Sequence, residues 1–167
     1  SYINGKPEYT ISLALINNDQ PILGYVLNPE TKELFSAKKN GGAFCNKKKI
    51  SVNKADEISS SKYGISSSEL KKLKEFNILD CKSIIEMGSI AYKIVLVAKG
   101  KIDVAISFTK KNDWDLAASD LILREAGGVI NQITGKKIIY NSDKMKIDSV
   151  IASNYQLIKK LCEKFNE

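Results

Sequence analysis

The hydrophobic period changes part-way along this chain, and that change limits the folds open to it. Tyr9, Ile11, Leu13 and Leu15 recur at every second position and are ended by Asn17-Asn18-Asp19-Gln20-Pro21. Further short apolar runs follow at residues 22–27, 33–37, 43–45 and 50–52, separated by Asn28-Pro29-Glu30 and Asn40-Gly41-Gly42. Period two marks strands, because successive side chains leave a strand on opposite faces. Strands this closely spaced, with turn residues between them, predict an antiparallel meander.

The polar, serine-rich stretch 55–61 reads as a seam. Beyond it, helical spacing takes over. Ser66 and Glu69 have capping-box spacing ahead of Leu70, Leu73 and Phe76. Residues 83–86 read as a strand and 88–99 as a buried helix closed by Gly100, although the valines and isoleucines of that stretch leave a strand open. Residues 102–108 read as a strand, and 114–126 as a helix stopped by Gly127-Gly128. Strands at 129–133 and 149–152 and an amphipathic helix at 155–165 complete the pattern. Alternating strands and helices predict an α/β layered region with a mixed or parallel sheet. The expected organisation is therefore residues 1–55 as an antiparallel part and residues 56–167 as an α/β domain.

Composition excludes several chemistries. The chain has no histidine, so within it there is no Ser-His-Asp triad, Cys-His pair or histidine-ligated zinc site. Net charge is +7, and of 26 basic residues only Arg124 is arginine. A nucleic-acid partner is compatible with that charge, but solvated lysine is the favoured reading, because nucleic-acid readers lean on arginine forks and stacked aromatics. The run Lys47-Lys48-Lys49 reads as a turn. Cys45, Cys81 and Cys162 are too far apart for a Cys-x-x-Cys pair and too few for a disulfide framework, which fits a reducing cytoplasm. Cys45 and Cys162 are expected to be buried thiols. No apolar run approaches the roughly 18 residues of a membrane span. No signal-peptide pattern occurs, although an opening at Ser1 is compatible with a lost leader.

The stretch richest in chemistry is Asn112-Asp113-Trp114-Asp115-Leu116-Ala117-Ala118-Ser119-Asp120. Ala117 and Ala118 lie on the apolar face with Leu121 and Ile122, and small side chains there let the helix approach its neighbour closely. Asp113 is expected as the N-cap, Trp114 as buried apolar surface, and Asp115 in the first turn. A carboxylate in a first turn is favoured by the helix dipole whether or not it holds a ligand. The functional reading is a hard-cation ligand, and magnesium suits it because that ion takes one or two carboxylates and completes its shell with water and phosphate oxygens. Spacing alone leaves both readings open. In Met87-Gly88-Ser89-Ile90-Ala91 a glycine and a serine at a helix start could present amides to a phosphate or a polyol, or form a plain turn with a serine cap.

Taken together these segments resemble the inositol monophosphatase family of magnesium-dependent, lithium-sensitive phosphatases, including its bacterial extragenic-suppressor members. Asp113-Trp114-Asp115-Leu116-Ala117-Ala118 with Glu125-Ala126-Gly127-Gly128 is similar to the family's C-terminal signature. Asn40-Gly41-Gly42-Ala43-Phe44-Cys45-Asn46 resembles its Gly-Ala-Phe turn, Pro21 to Val26 with Asn28-Pro29 its central hairpin, and Met87 to Ala91 its substrate loop. The resemblance implies an α/β layered sandwich of the inositol monophosphatase and fructose-1,6-bisphosphatase type. It implies Asp115 as a catalytic, Mg2+-ligating aspartate and Gly88, Ser89 and Ile90 as substrate contacts. It also implies a small phosphorylated substrate and is compatible with a homodimer and with no membrane partner. Ile90 stands where many members carry alanine, which narrows the pocket. Phe108 stands about where inositol-selective members place a ring-binding glutamate, which leaves room for nucleotide bisphosphatase relatives. The family's other metal-ligating motifs, a glutamate motif and Asp-Pro-Ile-Asp-Gly-Thr, do not occur, and Ser1-Tyr2-Ile3-Asn4-Gly5 resembles the text that follows them. The resemblance thus covers the C-terminal two-thirds of such an enzyme. It implies a chain inactive by itself, with one face of its meander open to a partner. A non-catalytic interaction or RNA- and transcription-associated module is the reading from a different class.

Overall fold

The computed structural model describes residues 7–76, 83–143 and 145–166. Strands β1 (Ile11–Asn17), β2 (Gln20–Asn28), β3 (Glu33–Lys38), β4 (Ala43–Cys45) and β5 (Lys48–Lys49) form an antiparallel sheet in sequence order, the expected meander. Its last turn corrects the expectation of a strand at 50–52. Asn46 and Lys47 both take positive φ, 48° and 66°, so the chain reverses in two residues and Lys48–Lys49 pair back on Cys45 and Phe44. Two successive positive-φ residues match the twist of a hairpin. Of the lysine run, Lys47 is thus turn and Lys48 and Lys49 are strand.

The second sheet has the order β10-β12-β8-β6-β7. It is built from β6 (Tyr63–Ile65), β7 (Ile84–Glu86), β8 (Val104–Ser107), β10 (Gly128–Asn131) and β12 (Val150–Asn154). β6 runs parallel to β7 and β8, whereas β12 is antiparallel to β8 and β10, so the sheet is mixed. β6 has no counterpart in the sequence reading, because three residues on the border of a polar stretch show no period. A two-stranded ribbon, β9 (Lys111–Asn112) with β11 (Lys146–Ile147), was equally silent.

Helices α2 (Ile90–Ala98) and α3 (Asp113–Glu125) lie between the two sheets and share one apolar cluster with both. Gly24 in β2 faces α3 so closely that a Cβ there would sit 2.8 Å from the Ala118 carbonyl oxygen. This is the close approach that Ala117 and Ala118 predict. Helix α1 (Leu70–Glu75), preceded by a 3-10 turn at Ser67–Glu69, and α4 (Tyr155–Phe165) cover the far face of the second sheet with a second cluster. Ser66 and Glu69 do not form the expected capping box. Glu69 turns away from the helix start and accepts hydrogen bonds from the Ser107 hydroxyl and from the backbone N–H groups of Phe108 and Thr109, 2.7–3.0 Å away. Burial pushes the Glu69 carboxyl up, but these bonds hold it below its ordinary value.

Four layers result: meander, helix pair, mixed sheet, helix pair. The meander's outer face is left bare. Ile11, Leu13 and Leu15 are 62%, 66% and 56% exposed, while the smaller Ser12 and Ala14 face inward. Leu13 pairs across the strands with Tyr25, and Leu27 with Leu34, so the exposed apolar residues are contiguous. Apolar residues on both faces, with Ala14 and Ile16 packed toward the core, are the pattern of a strand meant to be covered twice.

Every residue of α2 is buried, Lys93 among them at 1% exposure, with Nζ donating to Ser66 Oγ at 2.9 Å. Burial pulls its pKa down from 10.5 to about 8, against the attraction of Glu69. Between those two values the unfolded chain binds more protons than the folded one, so Lys93 makes stability rise with pH. Burial raises the Cys45 and Cys162 thiols above their ordinary 9.0, which works in the opposite sense above that pH. The urea midpoint is therefore expected to climb between pH 8 and 9. Lys93→Met should flatten that slope and stabilise the fold at neutral pH by about 1 kcal/mol or more. A flat wild-type profile, or a destabilised Met variant, would contradict this account. Cys45 is buried as expected, Cys162 is only half-buried, and Cys81 lies outside the described residues.

Candidate functional site

Asn112 leaves β9 in an extended conformation (φ −97°, ψ 161°) and begins α3, so the N-cap is Asn112 and not Asp113. Asp115 reaches back over the helix start. Its Oδ2 accepts from the Asn112 backbone N–H at 2.9 Å and from Asn112 Nδ2 at 3.3 Å. The capping box expected at Ser66 and Glu69 is found here instead. Oδ1 of Asp115 takes no hydrogen bond among the described residues. Asp113 turns inward: it is buried, and its Oδ2 accepts from the Asn141 N–H at 2.7 Å. Trp114 corrects the sequence reading outright. At the second helical position it faces away from the core and is 64% exposed.

Across from this helix start stands the start of α2. Ser89 is its N-cap, with the non-glycine φ of +36°. Its hydroxyl accepts from the Tyr92 N–H at 3.3 Å and pairs with Thr10 Oγ1 at 3.0 Å. Strained backbone of this kind persists where the surroundings impose it, and helix N-termini offer free amides to anions. A cleft of about 550 Å3 separates the two helix starts. It is lined by Asp115, Trp114, Ser89, Ile90 and Ala91, and on the β1 side by Glu8, Thr10 and Ser12. That volume suits a small-molecule ligand. Three of the four residues singled out from the sequence, Asp115, Ser89 and Ile90, thus meet in one cleft. Gly88 precedes the N-cap and is not part of the lining. Phe108 is remote from it, stacked on Phe76 with centroids 5.7 Å apart and edge-on to Phe165.

Glu8, Thr10 and Ser12 were missed by a reading that followed the odd-numbered apolar residues of the same segment. Their signal was the other half of the alternation: the even positions run Glu8, Thr10, Ser12, Ala14 and Ile16, polar at the cleft and apolar toward the core. Among the described residues Glu8 Oε2, Ser12 Oγ and Asp113 Oδ1 are buried atoms with no hydrogen-bond partner.

Among the described residues no group of three or more Asp, Glu or Cys side chains is placed to hold a metal ion. A magnesium shell can nevertheless be met with one or two carboxylates, the rest being water and phosphate oxygens. The free oxygen of Asp115 fits one position of such a shell. Among the described residues no helix is long and apolar enough to cross a membrane.

Comparison with known proteins identifies relatives of the chain. The model of the inositol monophosphatase family matches residues 1–167. An inositol-1-monophosphatase of Mesorhizobium japonicum is 28% identical over 162 residues, covering 92% of this chain and 59% of that protein. The Nus factor SuhB of Xylella fastidiosa is 30% identical over 143 residues, covering 81% of this chain and 52% of that protein. The crystal structure of the extragenic suppressor protein suhB from Bartonella henselae superposes with a TM-score of 0.82 at 25% identity, covering 99% of this chain and 67% of that one. Inositol monophosphatase-II from Staphylococcus aureus shares the fold with a TM-score of 0.87 at 22% identity, covering 99% of this chain and 63% of that one. The chain therefore spans little more than half the length of the first two relatives.

Proposed function

Because the chain belongs to the inositol monophosphatase family, we propose that it supplies one wall of the active cleft of a magnesium-dependent phosphomonoesterase acting on an inositol phosphate or a related sugar or nucleotide phosphate. The observation that carries this reading is the placement of Asp115, with one oxygen tied to the helix cap and the other unbonded among the described residues, in the same cleft as the strained N-cap Ser89. Bound magnesium would supply charge neutralisation at the phosphate and an activated water. The chain's own residues do the positioning. Asp115 would hold the ion through Oδ1, and its cap bonds keep the carboxylate from rotating away. Ser89 and the amides that follow it would orient a phosphate or hydroxyl oxygen at the N-terminus of α2, with Gly88 leading into that turn and Ile90 narrowing the cleft. The proposed organisation remains that of an antiparallel part, residues 1–55, and an α/β domain, residues 56–167.

One carboxylate is too little negative charge for the two or three ions that the family's remaining motifs imply. The 167-residue chain alone is therefore expected to release no phosphate from inositol monophosphate at a useful rate, with or without magnesium. A protein that joins this chain to the missing acidic motifs is expected to release it only with magnesium. A colorimetric phosphate assay on both decides the matter, and magnesium-dependent turnover by the pure chain would refute the expected inactivity.

The similarity to Nus factors of the SuhB type, with the net charge of +7, favours a second reading: a non-catalytic, RNA-associated module. A salt-dependent gel shift of an RNA probe, without phosphatase activity in the full protein, would establish that reading over the first.

A further inference from the structure

We propose that another cleft, at the opposite end of α3 from Asp115, binds a small aromatic monocarboxylate, with its carboxylate on the Arg124 guanidinium and its ring against Tyr155 and Ile139. This cleft measures about 650 Å3 and lies between the β1–β2 turn, the C-terminal half of α3, the segment 135–140 and the first residue of α4. That volume takes a ligand of metabolite size. It shares no lining residue with the cleft between the two helix starts, so the inference is independent of the phosphatase reading.

The charged groups select the ligand. The Arg124 side chain is half-exposed, and its Nε and Nη2 are fastened to the buried carboxylate of Asp120. The guanidinium plane is therefore fixed before a ligand arrives. Nη1 takes part in no hydrogen bond among the described residues, which leaves its two N–H groups for a ligand. A planar guanidinium held in this way matches a carboxylate in shape as well as in charge. Three carboxylates also line the cleft, Asp19, Asp120 and Glu125. Asp120 is occupied by Arg124 and the Tyr140 hydroxyl, and the two oxygens of Glu125 accept from the backbone N–H groups of Asn40 and Gly42 at 2.8 Å. Lys39 has only the neutral Gln20 amide oxygen as its partner, at 2.8 Å, so its charge is not offset there. With the Arg124–Asp120 pair and the amide-bound Glu125 set aside, Lys39 and Lys137 stand against Asp19 alone. That balance is one positive charge, which suits a monoanion better than a dianion. The rest of the ligand is set by Tyr155 and Ile139, which are 68% and 65% exposed at the same cleft. An exposed phenol ring beside an exposed isoleucine is an apolar wall that a flat ring covers and a bare carboxylate does not.

The test is calorimetric titration of the protein, free of divalent ions, with indole-3-acetate, indole-3-acetamide and acetate. Indole-3-acetate is expected to bind saturably, one per chain. The amide keeps the ring and loses the charge, and should bind at least about tenfold more weakly. Acetate should show no binding at the same concentrations. Tyr155→Ala, at an exposed position, should weaken indole-3-acetate by about tenfold, and Lys137→Ala should weaken it less. Asp19→Asn should tighten it, because a like charge is removed. Arg124→Lys keeps a cation beside Asp120 but loses the planar fork, and should also cost about tenfold. If that variant fails to fold, Tyr155→Ala decides alone. Asp115→Asn, in the other cleft, should bind as the wild type does. Absence of saturable binding, equal affinity for acid and amide, or unchanged affinity in Tyr155→Ala each overturns the proposal. Loss of affinity in Asp115→Asn overturns it too, by placing the ligand in the other cleft.

Discussion

Asp115→Asn is expected to leave the fold in place and, on the proposed function, to lower magnesium-dependent phosphate release by a protein that joins this chain to the missing acidic motifs at least about a hundredfold, the scale on which a charged group at a phosphoryl centre acts. The asparagine carbonyl still accepts from the Asn112 N–H, so the helix cap survives while the negative charge disappears. Asp115→Ala removes both, and should add a stability loss of about 1 kcal/mol from the missing cap. The pair separates the two readings that spacing alone left open. If Asp115→Asn retains activity while Asp115→Ala merely melts earlier, the carboxylate is a cap and nothing more. If both are inactive and only the alanine variant is destabilised, Asp115 is cap and ligand at once, as its two differently engaged oxygens indicate. Titration of Mn2+ by electron paramagnetic resonance supplies a reading independent of turnover, with weaker binding expected in both variants.

The meander was legible because antiparallel neighbours announce themselves through local alternation and turn residues. The same local logic located both helix starts that face the cleft, since Asp115 and Ser89 carry their signals within a few residues. What the sequence withheld was set by distant pairing. Tyr63–Ile65 becomes a strand only because β7 and β8 flank it in parallel, and nothing local marks three such residues. Ser66 and Glu69 have the spacing of a capping box, but Ser107 and two backbone amides some 40 residues away bind Glu69 more completely than a helix start would. Trp114 was placed in the core on the general tendency of tryptophan to be buried. Its position in the helix overrides that tendency, because Leu116, Ala117 and Ala118 take the inward face. The β1 wall of the cleft was overlooked for a related reason. Apolar residues at odd positions drew the strand assignment, and they turn out to be the exposed ones, while the polar even positions face the site.

Arg124→Ala is expected to destabilise the fold by about 3 kcal/mol, the scale for stripping the partner from a buried charge. Asp120 is fully buried, one turn from the end of α3. It is held by Nε and Nη2 of Arg124, the latter at 3.2 Å from Oδ2, and by the Tyr140 hydroxyl at 2.7 Å. Burial pushes the Asp120 carboxyl up, and the guanidinium and phenol bonds pull against it. With Arg124 gone, burial acts unopposed by any cation, and the folded state takes up a proton more readily than the unfolded one. Stability then falls as pH rises, so the deficit should be largest at neutral pH and narrow as pH drops toward the ordinary carboxyl value of 3.8. Adding Asp120→Asn removes the stranded charge while an amide oxygen still accepts from Tyr140, and the double variant should recover much of the loss in urea unfolding. A single variant as stable as wild type, or a double variant no better than the single, would show that the pair does not hold the helix. The consequence reaches the cleft, because Asp120 and Tyr140 tie the same helix that carries Asp115 at its other end. Loosening that tie should lower Mn2+ affinity at Asp115 without touching any group that lines the site.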